Sequence, residues 1–205
     1  MRGGVGGEVA EGVGGGFLIR RARGGSDSDD SRVLAELGRR TFDETFGAYT
    51  PRWDMEIFLI ETYSESRLGD EFCDARNAFS VGEVEIGGMV EAACYLKVSV
   101  QEDYVPDCVR MLDGERGMME VEELFEIARL YIDGRFKRRG IGSGMMEVAV
   151  REARERGRRR IWLSVCEHNE AAKAFYGEWG FRVTGSHLYP VGNDPQTDLL
   201  MVREV

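Results

Sequence analysis

The chain has 205 residues with 42% apolar content and a formal net charge of −10. A chain of this size fits one domain, because single hydrophobic cores grow to about 200 residues before chains tend to divide. The negative charge argues against nucleic acid as the main partner, since such affinity depends on cationic groups that neutralise phosphates. An acidic surface instead favours cationic amines as ligands.

Membrane proteins and disulfide or zinc scaffolds are also excluded. No apolar run approaches the roughly 18 residues needed to cross a bilayer, and the N-terminus lacks the pattern of a signal peptide. We therefore predict a cytoplasmic protein without membrane contacts. The four cysteines are far apart and form no Cys-x-x-Cys pair, which predicts free thiols and no metal site.

The first elements are predicted to be a leader, a strand and a helical arm. Residues 1–15 are rich in glycine and too poor in apolar residues to offset the entropy cost of ordering, which predicts a disordered leader. A strand is predicted at 17–22. Apolar residues three and four positions apart predict a first helix between Leu34 and Thr45. Shorter helices are predicted at 54–63 and 65–74, with Ser64 as the cap of the second.

The rest of the chain alternates strands and helices. Residues 77–100 predict two strands around a turn at Gly87-Gly88, and residues 101–121 lack a clear period, which predicts a loop or lid. The predicted elements that follow are a strand at 124–132, a helix at 140–157, a strand at 161–165, a helix at 169–179 and strands near 181–189 and 199–202. This alternation predicts an α/β fold with helices on the faces of a sheet.

The turn after the strand at 124–132 carries the strongest chemical signal. Free amides at a helix start, together with the helix dipole, form an anion site. Gly140 and Gly142 let a pyrophosphate approach the backbone, and Arg138 and Arg139 add positive charge. Two structural alternatives remain, in which the glycines serve packing and the basic residues, including the arginines at 154–160, form a solvated surface. The glycine spacing does not match a P-loop or a dinucleotide fingerprint.

This turn resembles the phosphate motif of the GCN5-related N-acetyltransferase (GNAT) superfamily, which reads Gln or Arg, two residues, Gly, any residue, then Gly or Ala. Lys137 stands at the first position, which departs from the family pattern, and Gly140 and Gly142 stand at the glycine positions. Residues 169–181 resemble the Asn, Ala, Phe-Tyr and Gly-Phe signature of the family's cofactor-side helix. The resemblance covers residues 16–205. It implies an N-acetyltransferase domain with a single mixed, mostly antiparallel sheet flanked by helices on both faces.

The resemblance also implies acetyl-CoA as cosubstrate. The family binds the pantetheine arm through the strand before the turn and the pyrophosphate through the turn itself. A bulge in that strand is expected near Tyr131 or Ile132, where a backbone amide would polarise the thioester carbonyl. The implied contacts are Leu130, Tyr131, Ile132, Lys137, Arg138, Arg139, Gly140, Ile141, Gly142, Ser143, Asn169, Ala172 and Phe175.

Two residues are candidates for acid and base catalysis. Glu126 lies fourteen residues before Gly140, where histone-acetylating members of the superfamily place the glutamate that removes the amine proton. Its structural alternative is an ion pair with Arg129. Tyr176 matches the family tyrosine that protonates or hydrogen-bonds the CoA sulfur, and its alternative is core packing. The only histidines, His168 and His187, are expected to be structural.

Residues 41–47, 126–132 and 192–201 resemble the PaiA-type polyamine acetyltransferase branch. Together with the acidic charge, this favours a polyamine as the acceptor, which attacks the acetyl group directly. A protein N-terminal amine or lysine is the alternative acceptor. A non-catalytic CoA-binding regulatory module and a nucleic-acid-binding module are the alternatives from other classes. The oligomeric state stays open, with a homodimer among the alternatives.

Overall fold

The computed structural model describes residues 10–11, 16–24, 30–100, 105–111 and 117–205. Its helices are α1 Asp30–Phe46, α2 Arg52–Thr62, α3 Glu65–Cys73, α4 Asp107–Arg110, α5 Ile141–Glu155 and α6 Glu170–Glu178. Its strands are β1 Ala10–Glu11, β2 Phe17–Arg21, β3 Asn77–Ile86, β4 Met89–Ser99, β5 Leu124–Ile132, β6 Arg160–Cys166, β7 Arg182–Val191 and β8 Asp194–Glu204. Short 3₁₀ helices, Val121–Glu123 and Gly134–Phe136, flank β5.

The described strands form one sheet in the order β1-β2-β3-β4-β5-β6-β8-β7. β5 and β6 are parallel, and the other neighbouring pairs are antiparallel. The prediction of a mixed, mostly antiparallel sheet is confirmed. β8 lies between β6 and β7, because the β7–β8 hairpin folds back onto β6. This crossing brings the C-terminal strands next to the middle of the sheet.

One face of the sheet is covered by α5 and α6. The apolar positions of α5, which include Ile141, Met145 and Ala149, are buried against the sheet, and Tyr176 of α6 belongs to the same cluster. Burial of such a stripe stabilises a helix far more than its intrinsic propensity does. α5 is thereby fixed with its N-terminus at the end of β5.

The opposite face is covered by α1, α2 and α3. Phe42 of α1, Tyr63 after α2 and Tyr95 of β4 are buried in one cluster. Gly38 permits the close approach of α1, because a Cβ at this position would lie 2.6 Å from a Tyr63 ring carbon. The predicted cap of α3 is present, with the Ser64 hydroxyl accepting from a backbone amide at 3.2 Å.

The described parts of the predicted lid at 101–121 pack on the sheet. Val109 of α4 and Met119 are buried in a third cluster with Trp162 of β6. The Arg160 guanidinium, only 2% exposed, donates to the Val109 carbonyl at 2.6 Å. The interpretation of this arginine as part of a solvated surface is therefore wrong. The rest of the predicted lid lies outside the described residues.

Other sequence expectations have mixed outcomes. Ala10–Glu11 of the predicted leader form β1, which pairs with Leu18 and Ile19, and the remainder of 1–15 lies outside the described residues. β7 and β8 are longer than predicted because their pairing continues to the turn at Gly192. All four cysteines are free thiols. Among the helices of the described residues, none is long and apolar enough to span a bilayer.

Candidate active site

β5 has one fully paired edge and one edge that is paired over only half its length. Its pairing with β4 continues to Ile132, which lies opposite Cys94. Its parallel pairing with β6 covers Leu124 to Ile127 and ends there, so the two strands diverge beside residues 128–132. The divergence leaves backbone amides and carbonyls facing a V-shaped opening, where an extended ligand can pair with them as a strand would.

A β-bulge at Ala128 marks the start of this opening. Ile127 lies opposite Val98 and Arg129 lies opposite Lys97, so Ala128 is the extra residue on β5. The expectation of a bulge near the end of the strand is therefore wrong. A bulge bends its strand and re-aims the side chains that follow it.

The side chains after the bulge separate onto two faces. Tyr131 enters the aromatic cluster beneath α1, and its hydroxyl lies 2.7 Å from the Tyr63 hydroxyl. Leu130 and Ile132 pack instead toward α5. The predicted pantetheine strand thus carries one face to each half of the molecule.

The N-terminus of α5 has the geometry of an anion site. Arg138 and Gly140 adopt left-handed conformations with φ of 64° and 82°. No side chain caps Gly140, and the first bond within the helix runs from the Gly144 amide to the Gly140 carbonyl at 3.0 Å. The amides of the first three helical residues therefore have no partner in the helix. Such amides, aligned with the helix dipole, bind phosphate.

The two glycines of the turn serve different purposes. A Cβ at Gly140 would meet nothing within 4 Å, so glycine is not needed there for packing. It allows the left-handed backbone conformation and leaves the backbone open to a ligand. A Cβ at Gly142 would lie 3.0 Å from Ile132 Cδ1 and 3.5 Å from Phe175 Cζ. Gly142 therefore lets α5 pack closely against both β5 and α6. The packing alternative left open for these glycines thus applies to Gly142, whereas the conformation of Gly140 suits phosphate access.

The basic side chains of the turn are exposed around the free amides. Lys137, Arg138 and Arg139 all face solvent. The Arg139 guanidinium lies 5.5 Å from the centroid of the Phe136 ring, a cation–π contact that restrains it. These cations are available to a phosphate group at the helix start.

Buried Asp133 fixes the turn at the end of β5. It accepts the Arg135 amide at 2.9 Å and pairs with Arg40 of α1 at 2.6 Å. Burial opposes ionisation, but the hydrogen bonds from Arg135 and the charge of Arg40 lower the pKa of the Asp133 carboxyl. The carboxylate therefore ties the turn to α1.

α6 brings three predicted cofactor contacts and Tyr176 to the same opening. The Asn169 side chain caps the helix by accepting from the Ala172 amide at 3.1 Å, and its amide nitrogen remains available for a ligand. Phe175 reaches the α5 start, as its approach to Gly142 shows. The structure therefore brings together Gly142 and Phe175, which lie 33 positions apart in the sequence.

Tyr176 is buried beside the opening. Burial raises the pKa of the Tyr176 phenol, and the neighbouring Tyr131 adds to the effect. The hydroxyl makes no hydrogen bond to any residue that the structure describes. A phenol that stays protonated is suited to donate a hydrogen bond to a developing anion.

Glu126 lies on β5 just before the bulge, between Ser99 of β4 and Trp162 of β6. Its side chain is half-buried. Arg129, the partner considered for it, donates hydrogen bonds from both terminal nitrogens to the Glu71 carboxylate of α3, at 2.6 and 3.0 Å. Glu126 lies on the face of the sheet opposite to α5 and α6, and Tyr176 is buried on the α6 side.

The Glu71 carboxylate is the centre of a buried ion network behind this face. Besides Arg129, Lys97 pairs with it at 3.1 Å. Burial opposes the charge, but Arg129 and Lys97 outweigh it and lower the pKa of Glu71. Burial also lowers the pKa of Lys97. The network holds α3 against β4 and β5.

One cluster of polar side chains was not predicted from the sequence, in which His187 was expected to be structural. Ser164 of β6, His187 of β7 and Asp198 of β8 meet on the same face as Glu126, with both Ser164 contacts at 2.8 Å. No spacing in the sequence connects them, because they meet only through the β6-β8-β7 strand order. In the described part of the chain, no group of His, Cys, Asp and Glu side chains has the arrangement of a metal site.

The arrangement fits acetyl-CoA. The unpaired edge of residues 128–132 suits the amide-containing pantetheine arm, and the uncapped start of α5 suits the pyrophosphate. The approach of Gly142 to Ile132 and Phe175 places the start of α5 next to the end of β5 and to α6.

Comparisons with known proteins agree with this geometry. The Acetyltransferase (GNAT) family matches residues 52–181. An uncharacterized N-acetyltransferase in the pepI 3′ region of Lactobacillus delbrueckii subsp. lactis is 34% identical over 178 residues, which cover 87% of this chain and 93% of that protein.

Two solved structures share the fold. The PaiA N-acetyltransferase of Thermoplasma acidophilum, in complex with coenzyme A, has a TM-score of 0.68 and 17% identity, covering 92% of this chain and 99% of that one. The ribosomal-protein-S18-alanine N-acetyltransferase of Escherichia coli has a TM-score of 0.61 and 16% identity, covering 92% and 94%. The family match over residues 52–181 and the 34% identical relative show that the chain is an acyl-CoA-dependent N-acetyltransferase of the GNAT family.

Proposed function

We propose that the enzyme acetylates a primary amine of a polyamine by direct attack, with Glu126 as the base and Tyr176 as the acid. The observation that carries the catalytic assignment is the opening beside residues 128–132, which has Glu126 on the acceptor face at its start and Tyr176 from α6 beside it. Bound acetyl-CoA supplies an activated acetyl thioester. The enzyme's own groups supply positioning and proton transfer.

The proton steps follow from the two side chains. Amines are cationic at neutral pH, so Glu126 must accept a proton, directly or through water, before nitrogen can attack. The C–N bond then forms, the nitrogen releases its second excess proton to water, and the C–S bond breaks. The sulfur leaves as an anion unless it receives a proton or a hydrogen bond, which the neutral Tyr176 phenol donates. The backbone at the Ala128 bulge is the candidate donor to the carbonyl oxygen.

The acceptor assignment is supported by charge and resemblance. The net charge of −10 attracts polycations. Asp43, Glu44 and Glu56, on the helices that border the acceptor face, are exposed. The resemblance of residues 192–201 to the PaiA-type branch points the same way, and this segment binds the start of α2 through Asp54, which accepts from Asn193 at 2.9 Å.

A protein amine is the second candidate acceptor. Tyr49 and Trp53 are 59% and 70% exposed beside the same border, and exposed aromatic side chains are typical of peptide-binding surfaces. A fold neighbour, the ribosomal-protein-S18-alanine N-acetyltransferase, acts on a protein according to its name. A flexible peptide would use these rings as anchors.

An acceptor panel separates the two candidates. Thiol release from acetyl-CoA is measured with spermidine, spermine, putrescine, peptides with a free N-terminus and a lysine peptide. We expect kcat/KM for the best polyamine to exceed that of every peptide by at least about tenfold, an energy difference of ~1.4 kcal/mol. A peptide preference would overturn the acceptor assignment.

The Glu126→Gln variant tests the base. We expect kcat to fall by roughly 100- to 10,000-fold, the usual contribution of general acid–base catalysis, while affinity for CoA stays within about twofold. The matched control is Glu85→Gln, which removes one exposed negative charge at the distant β3–β4 hairpin. Equal activity of the two variants would exclude Glu126 as the base.

A further inference from the structure

The cluster of Ser164, His187 and Asp198 is not used by the proposed chemistry. Ser164 Oγ lies 2.8 Å from His187 Nε2 and 2.8 Å from Asp198 Oδ2. In a hydrolase triad the histidine stands between the other two residues and the aspartate orients the imidazole. Here the serine is in the middle and the aspartate bonds the serine, so the cluster is not built to activate Ser164 as a nucleophile.

The available hydrogens of Ser164 and His187 determine the direction of the hydrogen bonds to Asp198. A serine hydroxyl has one hydrogen, which Ser164 donates to Asp198 Oδ2. His187 Nε2 must then carry a hydrogen and donate it to Ser164 Oγ. The two residues fix one carboxylate oxygen of Asp198. The other oxygen, Oδ1, has no hydrogen-bond donor among the residues that the structure describes.

Asp198 differs from the fully buried carboxylates of the enzyme in lacking a permanent cation. Asp30, Glu71 and Asp133 pair with arginines at 2.8, 2.6 and 2.6 Å. Asp198 is half-buried, yet no lysine or arginine of the described ranges lies within ion-pairing distance. A carboxylate removed from water without a cation is costly. The unpaired Asp198 carboxylate therefore lowers the stability of the fold unless a bound ligand supplies a positive charge.

The position of Asp198 places it on the face of the sheet that carries Glu126. Ser164 follows Trp162 by two residues on β6, and Trp162 is the strand partner of Glu126, so Ser164 and Glu126 share a face. β8 lies two strands from β5, with β6 between them. Tyr131 on β5 is close enough for its pKa to respond to the charge of Asp198.

We propose that Asp198 binds a protonated, non-reacting nitrogen of the acceptor, and that Ser164 and His187 are its positioning residues. The inference rests on the proposed polyamine function, because only an acceptor with a second nitrogen can occupy both places. One amine is acetylated at the opening beside β5, and a second ammonium pairs with Asp198 Oδ1. The aliphatic carbons between them lie along the face of the sheet.

The environment of Asp198 agrees with this role. Burial raises the pKa of its carboxyl, although the Ser164 hydrogen bond opposes the shift. The nearby groups that act on it electrostatically are His187, which stabilises its charge, and Glu167, which opposes it. A bound ammonium group would favour the ionised carboxylate more strongly than any of these neighbours does.

The Asp198→Asn variant tests the anchor with a matched pair of acceptors, putrescine and butylamine, which differ in the second nitrogen. Asparagine keeps the shape and an acceptor for Ser164. We expect KM for putrescine to rise by roughly 10- to 100-fold, the effect of losing a charge-assisted contact, with kcat within about threefold. KM for butylamine should change by less than about threefold.

Two further variants sharpen the result. Ser164→Ala should raise KM for putrescine by about three- to tenfold, because Asp198 loses its orientation but keeps its charge. Glu85→Gln, which removes an equal charge far from the site, should leave both KM values unchanged. Affinity for CoA, measured by calorimetry, should be the same in all variants if they are folded.

The outcomes separate the two proposals. If none of the polyamines leads the unsubstituted enzyme to release thiol from acetyl-CoA, the proposed function is overturned. The proposal for Asp198 is then overturned with it. If it acetylates putrescine and Asp198→Asn leaves KM for putrescine unchanged, the anchor alone is overturned. An equal rise in KM for putrescine and butylamine also overturns it, since Asp198 would then act on the shared part of both acceptors or on the structure.

Discussion

The cofactor side and the acceptor side of this enzyme are built from different parts of the chain. In the proposed function, the cofactor is recognised by backbone, namely the unpaired edge of residues 128–132 and the uncapped amides after Gly140. The proposed acceptor is recognised by side chains on separate strands, among them Glu126 and Asp198. Backbone groups are the same in every residue, so the cofactor side depends on shape, whereas the acceptor side depends on residue identity.

This difference explains why the cofactor is easier to identify than the acceptor. A left-handed backbone conformation such as that of Gly140 favours glycine, so a short motif is visible in the sequence. A carboxylate on a strand needs no special backbone conformation, so no comparable conformational motif marks it. Substitutions on the two sides should therefore have separable effects, on CoA affinity in one case and on turnover or amine affinity in the other.

Tyr176→Phe should have the largest effect, because it removes the proposed proton donor to the sulfur. We expect kcat to fall by roughly 100- to 10,000-fold with CoA affinity unchanged. Burial raises the pKa of the phenol, so Tyr176 stays protonated above its usual pKa of about 10. The kcat profile of the unsubstituted enzyme should accordingly show no loss below pH 10 from ionisation of Tyr176. Full activity of the phenylalanine variant would exclude Tyr176 as the acid and would show that its role is core packing.

Glu71→Gln should have the largest effect on stability. It leaves Arg129 and Lys97 buried without their anion, a change that typically costs about 3–5 kcal/mol. Chemical denaturation measures it, with Glu85→Gln as a surface control expected within about 0.5 kcal/mol of the parent.

The same carboxylate predicts a pH dependence of stability. Because the pKa of Glu71 is lower in the folded enzyme, its contribution is complete above the unfolded value of about 4.3 and is lost as the pH falls through the folded value. The stability difference between parent and variant should therefore shrink in acid. A difference that grows below pH 4 would contradict this assignment.

Gly140→Ala should weaken CoA binding about tenfold, because an alanine at a φ of 82° costs about 1–2 kcal/mol. Gly140→Asn should lose less, since asparagine tolerates this conformation better. Gly177→Ala, at an exposed helical glycine whose added Cβ meets nothing within 4 Å, is the matched control and should leave affinity unchanged. Equal effects at the two positions would argue against a conformational role for Gly140.

Lys137→Ala should have the smallest effect. Its side chain is exposed, and a solvent-screened charge contributes at most about 1 kcal/mol, so CoA affinity should fall by less than about fivefold and the loss should disappear in high salt. A larger, salt-resistant loss would show that the departure from the family pattern at this position is compensated by a direct side-chain contact.

The parts of the structure that the sequence predicted well carry local signals. β5 was predicted over its full length, 124–132, and the buried stripe of α5 follows from apolar spacing. The Ala128 bulge was misplaced because its sequence lacks a glycine or another marker. The packing of residues 105–111 and Met119 on the sheet was missed because it depends on Arg160, a buried arginine that follows the exposed Arg159.

The acceptor cluster was beyond sequence reasoning for a topological reason. His187 was interpreted as structural because no partner stands near it in the sequence. Its partners Ser164 and Asp198 are 23 and 11 positions away and become neighbours only because β8 inserts between β6 and β7. Pairing order between distant strands leaves no periodic pattern in any one of them.

The divergence of β5 from β6 also determines what can enter the sheet. An unpaired strand edge normally invites a strand from another molecule, which leads to aggregation. Here the unpaired edge is short, because β6 pairs with β5 up to Ile127, and α5 and α6 cover one face of the sheet. A protein strand paired with this edge would direct side chains into that covered face. The pantetheine arm carries amides but no side chains, so the geometry that suits the cosubstrate disfavours pairing with a strand of another protein.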